Sequence, residues 1–193
     1  MFDPNKFKTE KKEISYDDRP KKITPGKKLL APVGAAFKIK NGKKVLEVCH
    51  VVIKDLEKKG EEGIIYVDQF YYVEKALFKL ANFVIALGYS ELFNHESMDD
   101  IEGVLLTGPF EGVFVDSSYN GKTYCNLKFY NGIEIERTED GEPCFSDKEL
   151  KIISSGEKSW DNILKYRIDS GSYGEYVGEF ANEDAGEDQE VPF

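Results

Sequence analysis

Five stretches of the chain have the β-branched and aromatic content, or the alternation of apolar and polar residues, that predicts β-strands. The first two, VGAAFKIK and KVLEVCHVVIK, flank Asn41 and Gly42, a pair that favours a tight hairpin. The third is IIYVDQFYYV. The fourth, GVLLTGPFEGVFVDSS, is joined to the fifth, TYCNLKFYNGIEIER, by a second Asn-Gly turn at residues 120–121. A third Asn-Gly, at residues 131–132, predicts a bend or bulge in the fifth strand.

The period of the pattern changes between the third and fourth strands. In EKALFKLANFVIALGY, apolar residues recur at three- and four-residue steps, which predicts an amphipathic helix capped by Gly88. A further short helix is predicted around SWDNILKYR. The order strand, strand, strand, helix, strand, strand is that of the OB-fold. We therefore expect a mainly β protein: a five-stranded OB-fold barrel with a helix between strands 3 and 4.

Charge divides the chain into three parts. Residues 1–54 hold 14 Lys and Arg against 6 Asp and Glu, whereas residues 168–193 hold no basic residue and 8 acidic ones. We predict a flexible basic arm over residues 1–28, the folded domain over residues 29–167, and a disordered acidic tail over residues 168–193. The net charge of −10 conceals this asymmetry.

Several classes of protein are not indicated by the sequence. No apolar run approaches the roughly 20 residues that span a bilayer, and the start lacks the apolar centre of a signal peptide. The three cysteines form no CxxC pair, so reduced thiols in a cytoplasmic protein are expected. No nucleotide-binding, hydrolase or zinc-protease motif occurs. We expect no enzyme, no cofactor and no metal, with His50 a sheet histidine and with Asp68, Glu111 and Asp116 on a solvated surface.

The fifth strand carries the most informative face. Side chains alternate across a strand, which places Tyr124, Asn126, Lys128 and Tyr130 on one face and Cys125, Leu127 and Phe129 on the other, the expected core face. A row of aromatic, amide and cationic side chains is typical of surfaces that hold single-stranded nucleic acid, because bases stack on rings and cations follow the backbone.

Two further strands supply candidates for the same groove. In the third strand, Tyr66, Phe70 and Tyr72 share a face, although aromatic side chains in strands also serve as core. In the first strand, Lys38 and Lys40 share the polar face, and the turn adds Lys43 and Lys44. These four lysines are candidate phosphate contacts, with a purely solubilising role as the alternative.

The last residues of the chain and its central stretch resemble a known family. The tip Asp188, Glu190, Val191, Pro192, Phe193 resembles that of bacterial and phage single-stranded DNA-binding proteins, which end in acidic residues, a small apolar residue, Pro and Phe. Residues 33–138 are similar to the OB-fold single-stranded DNA-binding proteins of phages in KVLEV, DQFYYVEKALFKLANFVIALGY and GPFEGVFVDSSYNGKTY. Gln189 and Val191 depart mildly from the family pattern.

The resemblance implies a protein that coats single-stranded DNA without sequence preference during replication, recombination or repair. It also implies that the tail recruits partner enzymes, with the terminal carboxylate entering an apolar, basic-rimmed pocket. The tail could cover the protein's own basic groove as well. The location would be cytoplasmic, in a host cell if the protein is phage-encoded, and the state a monomer or homodimer.

Three alternatives stay open at the level of sequence. An acidic adaptor or nucleic-acid mimic would bind proteins without binding DNA, and it would show an acidic stripe where a DNA binder has lysines. A single-stranded RNA binder would use the same stacking platforms. A metal-dependent nuclease would need clustered acidic residues.

Overall fold

The fold is that of a computed structural model, which describes residues 22–89 and 108–169. Over these residues there are five strands and two α-helices. The strands are β1 (Gly26–Lys40), β2 (Lys43–Asp55), β3 (Ile65–Tyr71), β4 (Phe110–Tyr119) and β5 (Lys122–Asn131). The helices are α1 (Leu77–Ala86), which follows a 3-10 turn (Glu74–Ala76), and α2 (Asp147–Asp169).

Both predicted Asn-Gly hairpins are present. Asn41 and Gly42 have φ of 53° and 70°, and Asn120 and Gly121 have φ of 50° and 71°. Positive φ at both central residues marks the type I′ turn, whose twist matches that of paired strands. Each turn is two residues long, so the residues on either side of it pair directly, and this fixes the register of the two strands. The third Asn-Gly coincides with the end of β5 at Asn131.

The five strands form one antiparallel sheet in the order β3-β2-β1-β4-β5. The prediction of a mainly β fold with five strands and a helix after the third is confirmed. The described backbone pairing leaves β3 and β5 as the two edges, so the sheet is open and not a closed barrel. Helix α1 packs against these two edge strands, and Gly88, with φ of 91°, ends it as predicted.

The core has two parts because β2 is buried on both of its faces. On the inner face of the sheet, Leu46 and Phe70 pack with Phe83 of α1. On the outer face, Cys49 and Val51 pack against α2. Each fully buried large apolar side chain contributes about 1.5–3 kcal/mol. The apolar run in KVLEVCHVVIK, interrupted by Glu47 and His50 alone, is the sequence signal of a strand buried on both sides.

Helix α2 is longer than the short helix that the sequence predicted. It begins at a capping box: the backbone N–H and hydroxyl of Ser146 both donate to Glu149 Oε2, at 2.8 Å and 2.7 Å. Trp160, only 3% exposed, lies on Gly34, where an added Cβ would come within 1.9 Å of the indole. At its other end, Arg167 forms an ion pair of 2.6 Å with Glu47 of β2, which is fully buried.

The predicted domain boundaries at residues 28 and 167 fall inside β1 and α2. Lys28 is fully buried and forms ion pairs with Asp55 at 3.5 Å and Glu61 at 2.7 Å, so it belongs to the sheet rather than to a flexible arm. The rest of the predicted arm, residues 1–21, and the predicted tail from residue 170 lie outside the described residues. The tip Asp188, Glu190, Val191, Pro192 and Phe193 therefore lies outside them too.

Candidate nucleic-acid interface

Three exposed aromatic side chains share the outer face of the β4–β5 hairpin. Residues directly opposite each other in an antiparallel pair share a face, and the rows pair Tyr119 with Lys122, Ser117 with Tyr124, and Val113 with Phe129. Tyr119, Tyr124 and Phe129 therefore form one set, which we call the aromatic ladder. At about 3.3 Å per residue, its end rows are roughly 20 Å apart.

The ladder is open to solvent, since the exposed fractions of Tyr119, Tyr124 and Phe129 are 70%, 45% and 52%. Two exposed lysines accompany it. Lys122 shares the row of Tyr119, and the Lys128 ammonium lies 5.8 Å from the centre of the Phe129 ring. Rings with free faces beside cations are the elements that bind bases and phosphates of single strands.

A polar pair occupies the middle of the ladder. Asn126 Nδ2 donates a hydrogen bond of 2.7 Å to Ser117 Oγ, which lies in the row of Tyr124. This cross-strand bond stabilises a hairpin that β1 supports only along residues 110–114 of β4. Two-stranded ribbons are marginal on their own, so the bond helps to hold the outer half of the ladder in place.

The acidic residues of this hairpin lie elsewhere or are paired. Asp116 pairs with Cys125, on the opposite face of the ribbon. Glu111, at the base of the outer face, accepts a hydrogen bond from Asn131 and forms an ion pair with Lys27 at 3.1 Å. These contacts lower the pKa of the Glu111 carboxyl. On the ladder side of the described hairpin, the exposed charged side chains are therefore those of Lys122 and Lys128.

The sequence placed Tyr130 on the binding face and Phe129 in the core, and both placements are wrong. The register steps from Phe114–Leu127 to Val113–Phe129, so Lys128 is the extra residue of a β-bulge. A bulge shifts the alternation by one. Beyond it, Tyr130 packs against Phe83 and Phe110 in the core, and Phe129 faces solvent. Tyr124, Asn126 and Lys128 are exposed as predicted.

The third-strand aromatics share one face as predicted, but this face is the inner one. Phe70 is 1% exposed and stacks on Phe83 with ring centres 5.2 Å apart, so neither of its faces is open to a base. Tyr66 packs edge-on against Phe114, and Tyr72 against Phe37. These three side chains build the core and its margin.

The four lysines at the first hairpin do not line one surface. Lys38 and Lys40 share the outer face as predicted, where Lys38 pairs with Glu47 and Lys40 Nζ donates to Gln69 at 3.4 Å. Lys43, opposite Lys40, is exposed on the same face. Lys44 lies on the inner face, 4.5 Å from the centre of the Phe37 ring. The prediction of a common groove is therefore wrong for Lys44.

Helix α2 occupies the outer face of β1 and β2. This face is covered by Trp160, and Glu47 on it pairs with both Arg167 and Lys38. Helix α2 leaves the aromatic ladder of the β4–β5 hairpin exposed.

The side chains that could have served catalysis are dispersed. His50 is fully buried, its ring nitrogens have no hydrogen-bond partner among the described residues, and burial lowers its pKa to about 4. The prediction of a solvated surface is wrong for Asp68, which is 2% exposed, pairs with Lys79 and accepts a hydrogen bond from Tyr130. Within residues 22–89 and 108–169, no group of three His, Cys, Asp or Glu side chains is placed to hold a metal ion.

Comparison with known proteins by sequence found no match, so the proposed function rests on the geometry of the site. No protein-family model matches the chain, and no curated protein matches it by sequence. Among the helices that the structure describes, none is long and apolar enough to cross a membrane.

The sequence analysis did not predict three residues of this surface as binding residues: the ladder residues Tyr119 and Phe129 and the neighbouring Lys122. The turn at Asn120 and Gly121 was a sufficient signal for Tyr119 and Lys122, because a two-residue loop pairs them and places both on the face of Tyr124. Phe129 had no such signal, since its orientation depends on the bulge at Lys128.

Proposed function

We propose that the protein binds single-stranded DNA without sequence preference, with the aromatic ladder and its two lysines as the primary contact surface. The observation that carries the proposal is the ladder itself: three solvent-exposed rings on one side of a hairpin, beside Lys122 and Lys128. Every base has a face that can stack, so such a surface tolerates any sequence.

Stacking and charge contribute different properties to this binding. Each base that stacks on an aromatic side chain contributes about 1–3 kcal/mol. Each phosphate contact by a lysine adds affinity that falls with salt, with a slope of about −0.7 per contact for single strands. Lys40 and Lys43, exposed on the same face of the sheet, are proposed secondary phosphate contacts.

We further infer that the open sheet is an OB-fold. The pairing order β3-β2-β1-β4-β5 and the helix that follows β3 support this finer description. So do two side-chain contacts that join the edges: Leu127 N–H donates to Tyr66 Oη at 3.3 Å, and Tyr130 Oη donates to Asp68.

The acidic segment of residues 168–193 is the proposed recruiting element. Its composition and the apolar Val191, Pro192 and Phe193 suit binding by replication, recombination or repair proteins, with the acids steering the encounter. The same acids would compete with DNA for the lysines of the folded domain. Such a protein would act in the cytoplasm, a host cytoplasm if it is phage-encoded.

The test is fluorescence-anisotropy binding of the full chain to labelled oligo-dT of about 30–40 nucleotides, longer than the roughly 4–16 that one OB-fold covers. Duplex DNA and oligo-rU of equal length are the comparison ligands, and salt is varied. We expect salt-sensitive binding to oligo-dT well above duplex. A variant lacking residues 186–193 should bind more tightly.

A ladder variant connects the geometry to the function. Replacing Tyr119, Tyr124 and Phe129 together by Ala should abolish measurable binding, whereas Tyr166→Ala, which removes a 72% exposed aromatic from α2, should leave it unchanged. Absence of binding by the unmodified chain at low salt would overturn the proposal and favour the acidic adaptor. Preference for oligo-rU over oligo-dT would redirect it to RNA.

A further inference from the structure

Two side chains of β3 hold β5 on either side of its bulge. Tyr66 Oη accepts the backbone N–H of Leu127, the residue before the extra Lys128. Asp68 accepts the hydroxyl of Tyr130, two residues after it. The bulge is thus fastened from the opposite edge of the sheet, although no backbone ladder between β3 and β5 is described.

These contacts lie inside the molecule and are well supported. Asp68 is 2% exposed and also pairs with Lys79 of α1 and accepts the N–H of Gln69 at 2.9 Å. The ring of Tyr130 packs within 6.1 Å of the ring centre of Phe70. Burial, followed by the charge of Asp68, raises the pKa of both tyrosine hydroxyls, that of Tyr66 to about 12. Both hydroxyls therefore keep their protons at physiological pH.

The bulge decides which way Phe129 faces. With an extra residue at Lys128, two consecutive side chains, Lys128 and Phe129, are exposed. With regular alternation instead, Phe129 would face inward and Tyr130 outward. The contacts of Tyr66 and Asp68 with β5 favour the first arrangement, because they require Leu127 and Tyr130 to lie where they do.

We propose that Tyr66, Asp68 and Tyr130 are positioning residues for nucleic-acid binding: they hold the bulge that turns Phe129 onto the ladder without touching the ligand themselves. This inference rests on the proposed function. It assigns binding roles to the buried Asp68 and the partly buried Tyr66 and Tyr130 of the seam between β3 and β5. It separates them from Tyr119 and Tyr124, whose orientation the Asn-Gly turn sets.

The test is a double-mutant cycle read by oligo-dT binding. Tyr66→Phe and Tyr130→Phe each remove one hydroxyl and keep the ring, and each should weaken binding about 2- to 10-fold, the fold-change equivalent of one net hydrogen bond. In a Phe129→Ala background this loss should disappear, because Phe129 is what the bulge positions. In a Tyr119→Ala background the full loss should persist, since Tyr119 is oriented independently.

A second readout needs no DNA. Amide hydrogen exchange at residues 127–129 should accelerate in Tyr66→Phe and Tyr130→Phe, while exchange in β2 stays as in the unmodified chain. Losses that are equal in the Phe129→Ala and Tyr119→Ala backgrounds would overturn the positioning role, as would unchanged exchange at residues 127–129. If the unmodified chain binds no oligo-dT, the proposed function itself fails, and the positioning role with it.

Discussion

The β1–β2 and β4–β5 hairpins have the same type of turn but differ in how much of each is buried. Each is closed by a two-residue Asn-Gly loop with positive φ at both positions. Yet β2 is buried on both faces along most of its length, whereas residues 116–124 of the second hairpin are exposed on both. One hairpin is the centre of the core, and the other projects from it.

The difference arises from what packs against each ribbon. The first hairpin has β3 beside it, α1 and the core on its inner face, and Trp160 of α2 on its outer face. The second is supported by β1 only near its base. One lysine of each hairpin shows the same difference: Lys38 is paired with Glu47, whereas Lys128 lies beside an exposed ring. A turn sequence thus sets register, while neighbouring elements decide whether a ribbon builds a core or a surface.

Removing the side chain that covers the first hairpin should have the largest effect on stability. Trp160→Ala removes the buried indole over Gly34 and should lower the free energy of unfolding by about 3–5 kcal/mol, measured by urea denaturation. Tyr166→Ala on the same helix should change it by less than about 0.5 kcal/mol. Equal stabilities for the two variants would mean that α2 does not cover β1 and β2.

Acid should weaken the first hairpin through His50. Its folded-state pKa of about 4 lies below the ordinary value of 6.5, because burial disfavours the charged ring. The folded state therefore binds fewer protons, and stability falls as pH drops from about 6.5 to about 4, by about 3 kcal/mol in total.

The variant His50→Leu should not show this loss between pH 6.5 and 4. Urea denaturation across that interval, with the variant and the unmodified chain side by side, measures the difference. Parallel pH profiles for the unmodified chain and His50→Leu would show that His50 is not buried in its neutral form.

The second hairpin should respond in binding rather than in stability. Tyr124→Ala removes one stacking surface and should weaken oligo-dT binding by about 1–3 kcal/mol. Because Tyr124 is 45% exposed, the melting temperature of the Tyr124→Ala variant should stay close to that of the unmodified chain. Anisotropy titration and a thermal melt measure the two. A large drop in melting temperature with unchanged affinity would assign Tyr124 to folding instead.

The smallest expected effect separates the lysines of the two hairpins. Lys128→Gln should reduce the slope of log affinity against log salt by about 0.7, the loss of one phosphate contact. Lys38→Gln should change the slope less, because Lys38 is paired with Glu47. Anisotropy titrations at several salt concentrations give both slopes. A larger change for Lys38→Gln would move the binding surface to the first hairpin.

Sequence alone determined the elements and much of the register. Periodicity located all five strands and α1, and the two Asn-Gly pairs determined where the hairpins turn, since local backbone preference decides both. Capping at Ser146 and Glu149 would have marked the start of α2 as well. These features depend on residues close together in the chain.

Tertiary structure alone decided which faces are free. Nothing near Phe129 in the chain shows that it is exposed and that Tyr130 is buried, because the bulge between them is held by Tyr66 and Asp68, 61 and 62 residues away from their partners. Likewise, the outer face of β1 and β2 is buried because Trp160 of α2, a helix remote in sequence, packs on it. Burial and bulges arise from contacts between remote segments, and a local pattern contains no record of those contacts.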